Sequence, residues 1–160
     1  MRTFEQGSQT EAVVLSELAK AGYAVLIPFG VARYDLAIDD GSGKIQTVQC
    51  KTGRVRRGCI IWAACSMHTL THTRTSYREQ VDLFGVWCPE VPEFAYLVPV
   101  SEIGEREGCL RIDPAQRNYA KLRWAENYKI EKLGSVAQMG EQPSEKRQVE
   151  DSIASGPTMA

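Results

Sequence analysis

Two short segments of alternating polar and apolar residues, joined by a turn-forming tetrapeptide, constrain this chain most strongly. The segments are Arg33–Asp39 and Lys44–Thr52, and Asp40–Gly43 (DGSG) lies between them. Alternation with a period of two is typical of strands that bury one face. Asp, Gly and Ser favour tight turns. The pattern therefore predicts a β-hairpin.

Polar side chains are predicted to converge on this hairpin. Gln49 and Lys51 are two residues apart, so a strand presents both on one face. Val48 and Cys50 are expected on the other face. In the first strand, Asp35 is predicted to point away from the face made by Tyr34, Leu36 and Ile38. A carboxylate, an amide and a lysine can therefore meet on adjacent strands.

A second carboxylate, that of Glu11, can reach the same place from the start of a helix. Apolar spacing predicts this helix over Glu11–Ala21, with Ser8 or Thr10 as its cap and Gly22 at its end. Phosphodiester hydrolysis needs such groups: oxygen ligands hold a hard divalent cation, and a lysine stabilises the developing charge. The alternative is an ordinary hairpin with a surface Asp and a surface Lys.

The rest of the chain predicts a mainly β domain. Helix followed by strands indicates α+β, or a mixed α/β sheet with peripheral helices. Strands are predicted at Tyr23–Pro28, Cys59–Cys65, Val81–Cys88 and Phe94–Val100, with a short extended piece at Leu110–Asp113. Other predictions are a basic turn at Arg54–Gly58, a loop at 66–78, a helical turn at Ser101–Glu105 and a closing segment at Asn118–Glu126. Trp62, Trp87 and Trp124 are expected in the core.

Composition narrows the class of protein. The five cysteines are odd in number and lack a C-x-x-C pair, which disfavours a disulfide framework or a zinc site and indicates a reducing, cytoplasmic setting. No apolar run approaches the roughly 20 residues that span a bilayer, so no membrane association is expected. From residue 134 large apolar residues become rare, which predicts one domain over 1–133 and a disordered tail over 134–160.

Three motifs carry a resemblance to a known family. They are G-x-x-x-E-A at Gly7–Ala12, Y-D-L at Tyr34–Leu36 and V-Q-C-K-T-G-R at Val48–Arg54. The chain resembles the PD-(D/E)xK endonucleases of the group I intron (tRNA-intron) homing family and, more distantly, archaeal Holliday junction resolvases. The resemblance implies an α/β fold with a restriction-endonuclease-like core, in which helices flank a mixed central β-sheet.

The same resemblance implies roles for the convergent residues. Glu11, Asp35 and Gln49 would bind Mg²⁺, or another hard divalent cation such as Mn²⁺, and Lys51 would be the catalytic lysine. Most of the superfamily carries Asp or Glu where this chain has Gln49, and the intron-encoded branch is known for this glutamine. The family also implies a homo-oligomer, a tetramer or dimer, that makes a double-strand break at a long, nearly palindromic site in double-stranded DNA.

Basic and polar side chains around the hairpin are candidates for DNA contact, because arginine suits phosphate and guanine. The predicted contacts are Arg33, Arg54, Arg56, Arg57, His68, His72 and Arg74. A solvated basic turn is the alternative for the arginines. For His68 and His72, which are four residues apart, metal ligation is the weaker alternative. Tyr77, Arg78 and Asp82 are interpreted as ordinary surface residues at a strand entrance.

The tail suggests a separate hypothesis. Residues 135–157 resemble the translation of a tRNA gene in its sense direction, so the reading frame is predicted to run into such a gene. Two further functions fit the residues: a junction resolvase with little sequence preference, and a catalytically silent DNA-binding module. Gln49, which replaces an acid, is the feature that suggests the silent module.

Overall fold

One long helix and ten short strands make up the part of the chain that the computed structural model describes, residues 3–68, 70–114 and 122–131. Helix α1 spans Thr3–Ala21. The strands are β1 Ala24–Leu26, β2 Leu36–Asp39, β3 Ile45–Thr52, β4 Arg54–Arg56, β5 Cys59–Ala63, β6 Cys65–Met67, β7 Arg74–Ser76, β8 Leu83–Trp87, β9 Ala95–Pro99 and β10 Glu107–Arg111. Short 3-10 turns cover Val100–Glu102 and Ala125–Tyr128. No helix in these ranges is long and apolar enough to cross a membrane.

Helix α1 begins well before the predicted start at Glu11. The prediction of Ser8 or Thr10 as the helix cap is wrong, because both residues lie inside the helix. The Thr10 hydroxyl instead donates a hydrogen bond of 3.0 Å to the Gln6 carbonyl one turn earlier. The apolar pattern missed the first turns because they bury little apolar surface: Phe4 is 85% exposed.

The C-terminal end of α1 agrees with the sequence. Gly22 has a φ of 99°, a left-handed conformation that glycine adopts without steric cost. The Tyr23 amide donates to the Leu18 carbonyl at 3.1 Å, which closes the helix end in a Schellman arrangement. Val14 and Leu18 are fully buried, and they attach the helix to the sheet.

A mixed five-stranded sheet in the order β1-β2-β3-β8-β9 forms the centre of the fold. Only β3 and β8 run parallel; the other neighbours are antiparallel. The predicted hairpin is confirmed, with Leu36 opposite Val48. In its turn, the Asp39 carboxylate accepts a hydrogen bond of 2.8 Å from the Gly41 amide. The mixed sheet confirms the α/β class.

The face predicted for Tyr34 is wrong. Strand β2 begins only at Leu36, and the bends before it interrupt the alternation. Leu36 and Ile38 pack towards α1, whereas Tyr34 packs against the core on the opposite side of the sheet. Residues 31–35 therefore approach the sheet as irregular chain, and Asp35 is the last residue before the strand.

Two apolar cores lie on opposite faces of the central sheet. Helix α1 covers one face, and the three-stranded sheet β10-β5-β4 covers the other, where further helices were expected. Strand β8 is buried along its whole length because it contributes to both cores. Its Phe84 and Val86 face the small sheet, and Leu83 and Trp87 belong to the core under α1.

The small sheets contain strands that the sequence did not predict. Arg54–Gly58 is not merely a turn: β4 is followed by a tight turn in which Arg57 and Gly58 have φ values of 51° and 73°. The predicted strand Cys59–Cys65 is divided at Ala64. The predicted loop 66–78 contains most of the β6–β7 hairpin. Its strands are mostly solvated and carry no alternating burial, which is why the pattern missed them.

The end of the described chain agrees in part with prediction. The helical turn is observed at Val100–Glu102, and β10 starts before the predicted Leu110. Trp62 and Trp87 are buried as predicted, but Trp124 is 39% exposed, so its assignment to the core is wrong. Much of the predicted closing segment Asn118–Glu126, and the predicted tail 134–160, lie outside the described residues.

Gly108 provides a test of the packing between β5 and β10. A Cβ atom at this position would lie 2.2 Å from the indole of Trp62, which is itself buried. We expect Gly108→Ala to reduce the free energy of unfolding by about 3 kcal/mol, measured by urea titration, because neither group can yield. The matched control is Gly104→Ala, where the nearest atom would be 3.7 Å away. Equal stability of the two variants would contradict this packing.

Candidate active site

The carboxylate of Asp35 lies at the point where the irregular segment joins the sheet. The Asp35 amide donates to the Val48 carbonyl at 3.0 Å, which fixes the backbone against β3. Its Oδ2 accepts a hydrogen bond of 2.7 Å from the Cys50 amide and a further hydrogen bond from the Gln49 side-chain amide. One oxygen of the carboxylate is therefore held by two donors from the neighbouring strand.

The surroundings of the Asp35 carboxyl disfavour its ionised form despite these hydrogen-bond donors. Burial raises the pKa of Asp35 above its ordinary range. The Cys50 amide, the Lys51 ammonium and the Gln49 amide each lower it, but they do not cancel the effect of burial. A hydrogen bond to an ionised carboxylate favours the charged form, and loss of water opposes it. Here the loss of water is the larger effect.

Glu11 belongs to the same electrostatic group. Partial loss of hydration raises its pKa, and the negative charge of Asp35 raises it further. Burial raises the pKa of the Cys50 thiol, and the charges of Asp35 and then Glu11 add to this effect. Two carboxylates thus repel each other beside a thiol that they keep protonated. The Lys51 ammonium acts on Asp35 and Cys50, but its charge does not offset their burial and the repulsion by the carboxylates.

The donor set fits a hard divalent cation. Mg²⁺ and similar ions prefer oxygen ligands, and Asp35 and Glu11 supply carboxylate oxygens. The Gln49 amide nitrogen is used on Asp35, and its amide oxygen accepts no hydrogen bond from a described residue. The described ranges contain no group of three or more His, Cys, Asp or Glu residues that could hold a metal ion together. A third protein ligand would therefore be the neutral oxygen of Gln49.

Lys51 lies two residues after Gln49 on β3, and its amine lies beside an aromatic side chain. Its Nζ donates to the Tyr77 hydroxyl at 3.2 Å and lies 4.4 Å from the centre of the Tyr77 ring. Its charge also acts on Asp35. The interpretation of Tyr77 as an ordinary surface residue is wrong, because only 6% of it is exposed.

A pair of hydroxyl groups joins α1 to the end of β3. The oxygens of Thr10 and Thr52 are 2.6 Å apart, and Thr10 is only 1% exposed. These residues directly neighbour Glu11 and Lys51. The contact therefore fixes the spacing between the helix that carries one candidate residue and the strand that carries another. The sequence pattern did not indicate this contact, because it joins residues 42 positions apart.

A cleft of about 860 Å³ opens beside this contact. Its walls come from the start of α1, the end of β3, strands β4 to β7 and the start of β10. Three arginines, Arg54, Arg74 and Arg106, line it. The two ion pairs between described residues, Lys20–Glu17 and Lys129–Glu126, involve none of them. The sequence predicted DNA contact for Arg54 and Arg74 and missed Arg106, which lies outside every predicted element.

The other predicted DNA-binding residues are exposed but do not line this cleft. Arg56 and Arg57 lie on β4 and in the turn after it. His68 and His72 lie in the β6–β7 turn, where the His72 amide donates to the His68 carbonyl at 2.9 Å. The Arg33 guanidinium is held within the chain: it donates to Gln80 and Ser66 and lies over the Tyr77 ring.

The comparisons with known proteins agree with this fold. A family model described as PD-(D/E)XK endonuclease matches residues 1–131, so the chain belongs to the PD-(D/E)XK endonuclease family. This confirms the resemblance of the sequence to nucleases of that class.

A solved structure also resembles the chain. It is described as the structure of a bacterial homing endonuclease, I-Ssp6803I, and superposes with a TM-score of 0.63 and 24% identity. The alignment covers 81% of this chain and 89% of that protein. At this identity the likeness shows a shared fold. No curated protein sequence matches the chain.

Proposed function

We propose that this chain is a site-specific homing endonuclease that uses Mg²⁺ or Mn²⁺ to break both strands of DNA. The observation that carries the proposal is the convergence of Asp35, at the entrance to β2, with Gln49 and Lys51 of β3, with Glu11 close enough for the charge of Asp35 to raise its pKa. Family membership supports a nuclease, and the homing endonuclease with the similar fold supports this substrate class.

Each side chain of the candidate site would have a separate role in hydrolysis. Asp35, Glu11 and Gln49 would hold the cation through oxygen atoms. When bound, the cation lowers the pKa of a water molecule and neutralises charge on the phosphate oxygens. The Cys50 amide and the Gln49 amide nitrogen keep the Asp35 carboxylate in one orientation. Lys51 would place its ammonium group against the charge that develops during attack.

The basic cleft would bind the DNA backbone. Thr52 and Gly53, which follow Lys51, line it together with Gly7 at the start of α1. Phosphates held there by Arg54, Arg74 and Arg106 would lie next to the reacting phosphate. Arginine makes paired hydrogen bonds to phosphate oxygens, and each neutralised phosphate adds to the salt dependence of binding. Action as a homo-oligomer, a tetramer or dimer, on a nearly palindromic site is part of this proposal.

Cleavage of plasmid DNA tests the proposal. The substrates are a plasmid that carries the uninterrupted tRNA-gene sequence encoded by the tail codons and a plasmid library with randomised inserts. We expect linear product cut at one recurrent sequence in Mg²⁺ or Mn²⁺, and none in EDTA. Sequencing of the cut ends gives the site and the overhang.

Two other results would replace this proposal with a different one. If neither plasmid is cut but a synthetic four-way junction is cut without sequence preference, the protein is a junction resolvase. If no DNA is cut while binding persists, the silent DNA-binding module suggested by Gln49 is the better account. Binding is therefore measured on the same DNA in EDTA.

A further inference from the structure

The side chain of Tyr77 is buried between the candidate active site and the core. It follows β7, and its carbonyl accepts hydrogen bonds from the Gln80 and Val81 amides at 3.0 and 3.2 Å. Its ring packs edge to face against Phe84, with ring centres 5.9 Å apart and planes at 86°. Phe84 is fully buried. The ring of Tyr77 is therefore a fixed surface and not a mobile loop side chain.

Two cationic side chains from different segments of the chain lie against this ring. The Lys51 Nζ is 4.4 Å from the ring centre and donates to the hydroxyl. The Arg33 guanidinium carbon is 5.1 Å from the same centre. A cation over an aromatic face gains electrostatic attraction, and this gain is larger where water is excluded.

The two cations belong to the two segments that build the site. Lys51 lies on β3, next to the backbone amide that holds Asp35, and Arg33 lies two residues before Asp35 in the irregular segment. Before Leu36 this segment is joined to β3 by the hydrogen bond from the Asp35 amide to the Val48 carbonyl and is not part of a strand, so contacts of Arg33 help to place it. Besides the ring, Arg33 reaches Gln80 and, at 3.3 Å, Ser66.

We propose that Tyr77 is a positioning residue, whose phenol fixes the ammonium group of Lys51 and, through Arg33, the segment that carries Asp35. The proposal rests on the proposed nuclease function. A lysine side chain has four rotatable bonds, and ordering it costs conformational entropy. Because buried Tyr77 orders the Lys51 side chain before DNA binds, the amine is already near the position needed for reaction.

Replacement of Tyr77 by phenylalanine tests the role of the hydroxyl. Tyr77→Phe keeps the ring and its contact with Phe84. We expect the single-turnover cleavage rate to fall about tenfold, which corresponds to loss of one positioning hydrogen bond, with DNA affinity in EDTA unchanged. The matched control is Tyr96→Phe, a buried tyrosine of the same core, which should cleave at the wild-type rate.

A double-mutant cycle separates positioning from a purely structural role. In a Lys51→Ala background, Tyr77→Phe should have no further effect on the residual rate, because the group that it positions is gone. If the tenfold loss persists in that background, or if Tyr77→Phe alone cleaves normally, Tyr77 does not act through Lys51.

An NMR measurement tests the contact between Lys51 and the Tyr77 ring even if the wild type cuts no DNA. Ring currents should shift the Lys51 Cε protons upfield, and Tyr77→Leu should abolish this shift while Tyr96→Phe leaves it unchanged. An unshifted Lys51 signal in the wild type would overturn the proposal. Absence of cleavage with a shifted signal would overturn the nuclease function and leave the Lys51–Tyr77 contact intact.

Discussion

Lys51→Ala is expected to reduce the rate of DNA cleavage by about 10³-fold and to leave DNA affinity within about twofold of wild type. The reason is position: the amine lies on the strand next to Asp35, close enough to lower the pKa of that carboxyl, and it is held by a buried tyrosine. In the proposed mechanism an ammonium group placed there would act on charge that develops in the reaction. It adds little to ground-state binding, which the exposed arginines of the cleft would supply.

The matched control is Lys44→Ala. Lys44 is an exposed lysine of the same hairpin, next to the turn after β2 and away from the site. It should cleave and bind like the wild type. Single-turnover rates at saturating protein and affinities in EDTA distinguish the two effects. A Lys51→Ala variant whose affinity falls in parallel with its rate would make Lys51 a DNA-binding residue and not a catalytic one.

The centre of the candidate site could be predicted because it depends on local rules. The period of two on β3 places Gln49 and Lys51 on one face, and the turn at Asp40–Gly43 fixes which residues of β2 and β3 are paired. These two facts are enough to bring Asp35 beside Gln49. Neither requires knowledge of how the rest of the chain packs.

The supporting contacts could not be predicted because they join residues far apart in the chain. Tyr77 lies 26 residues from Lys51, and Thr10 lies 42 residues from Thr52. Each contact depends on the parallel pairing of β3 with β8 or on the crossing of α1 over the sheet. No local period encodes these features. Arg106 joins the cleft for the same reason, since only the fold brings it near Arg54.

The strands of the two small sheets show a second reason why parts of the fold could not be predicted from the sequence. Strands β4, β6 and β7 are only three residues long and contain no fully buried residue, so each is too short to show a pattern in the sequence. Their backbone hydrogen bonds, and not an apolar face, define them. The Thr-rich segment 66–78 therefore resembles a loop in composition although it contains most of a hairpin. The cleft walls come partly from these strands, so the sequence could not outline the cleft.

The Gln49 amide has a physical role that suits its place beside two carboxylates. A glutamate there would add a third negative charge next to Asp35 and Glu11, whose pKa values are already raised. The amide instead donates to Asp35 and leaves an oxygen for the cation. The glutamine is thus consistent with a working site and does not by itself indicate a silent one.

Asp35→Asn is expected to abolish cleavage and to make the metal-free protein more stable. Without the carboxylate the site loses a charged ligand, and we expect a loss of about 10³-fold or more in rate. Asparagine can still accept the two hydrogen bonds that now end on one oxygen of Asp35. It removes a charge that burial disfavours and that repels Glu11. The gain is on the order of 1 kcal/mol after allowance for solvent screening, or about 3 °C in Tm.

The pH dependence of this gain has a defined sign. A carboxyl group whose pKa is raised on folding favours the folded state when protonated, and this stability is lost as the pH rises from the ordinary Asp range through the raised value. The Tm difference between Asp35→Asn and wild type should therefore be full at neutral pH and disappear in acid, where the wild-type carboxyl is protonated too. Added Mg²⁺ should raise the Tm of the wild type alone.

Asp40→Asn is the matched control for these measurements. Asp40 is an exposed aspartate of the same hairpin, and its pKa is lowered, mainly by a hydrogen bond from the Ser42 side chain. Its charge is favoured in the folded state, so its removal should give no rise in Tm and no change in cleavage. If Asp35→Asn instead lowers the Tm at every pH, the hydrogen bonds to the Asp35 carboxylate outweigh its burial. The Asp35 carboxylate would then stabilise the fold without a metal ion. The argument that a cation binds there to neutralise Asp35 and Glu11 would no longer hold.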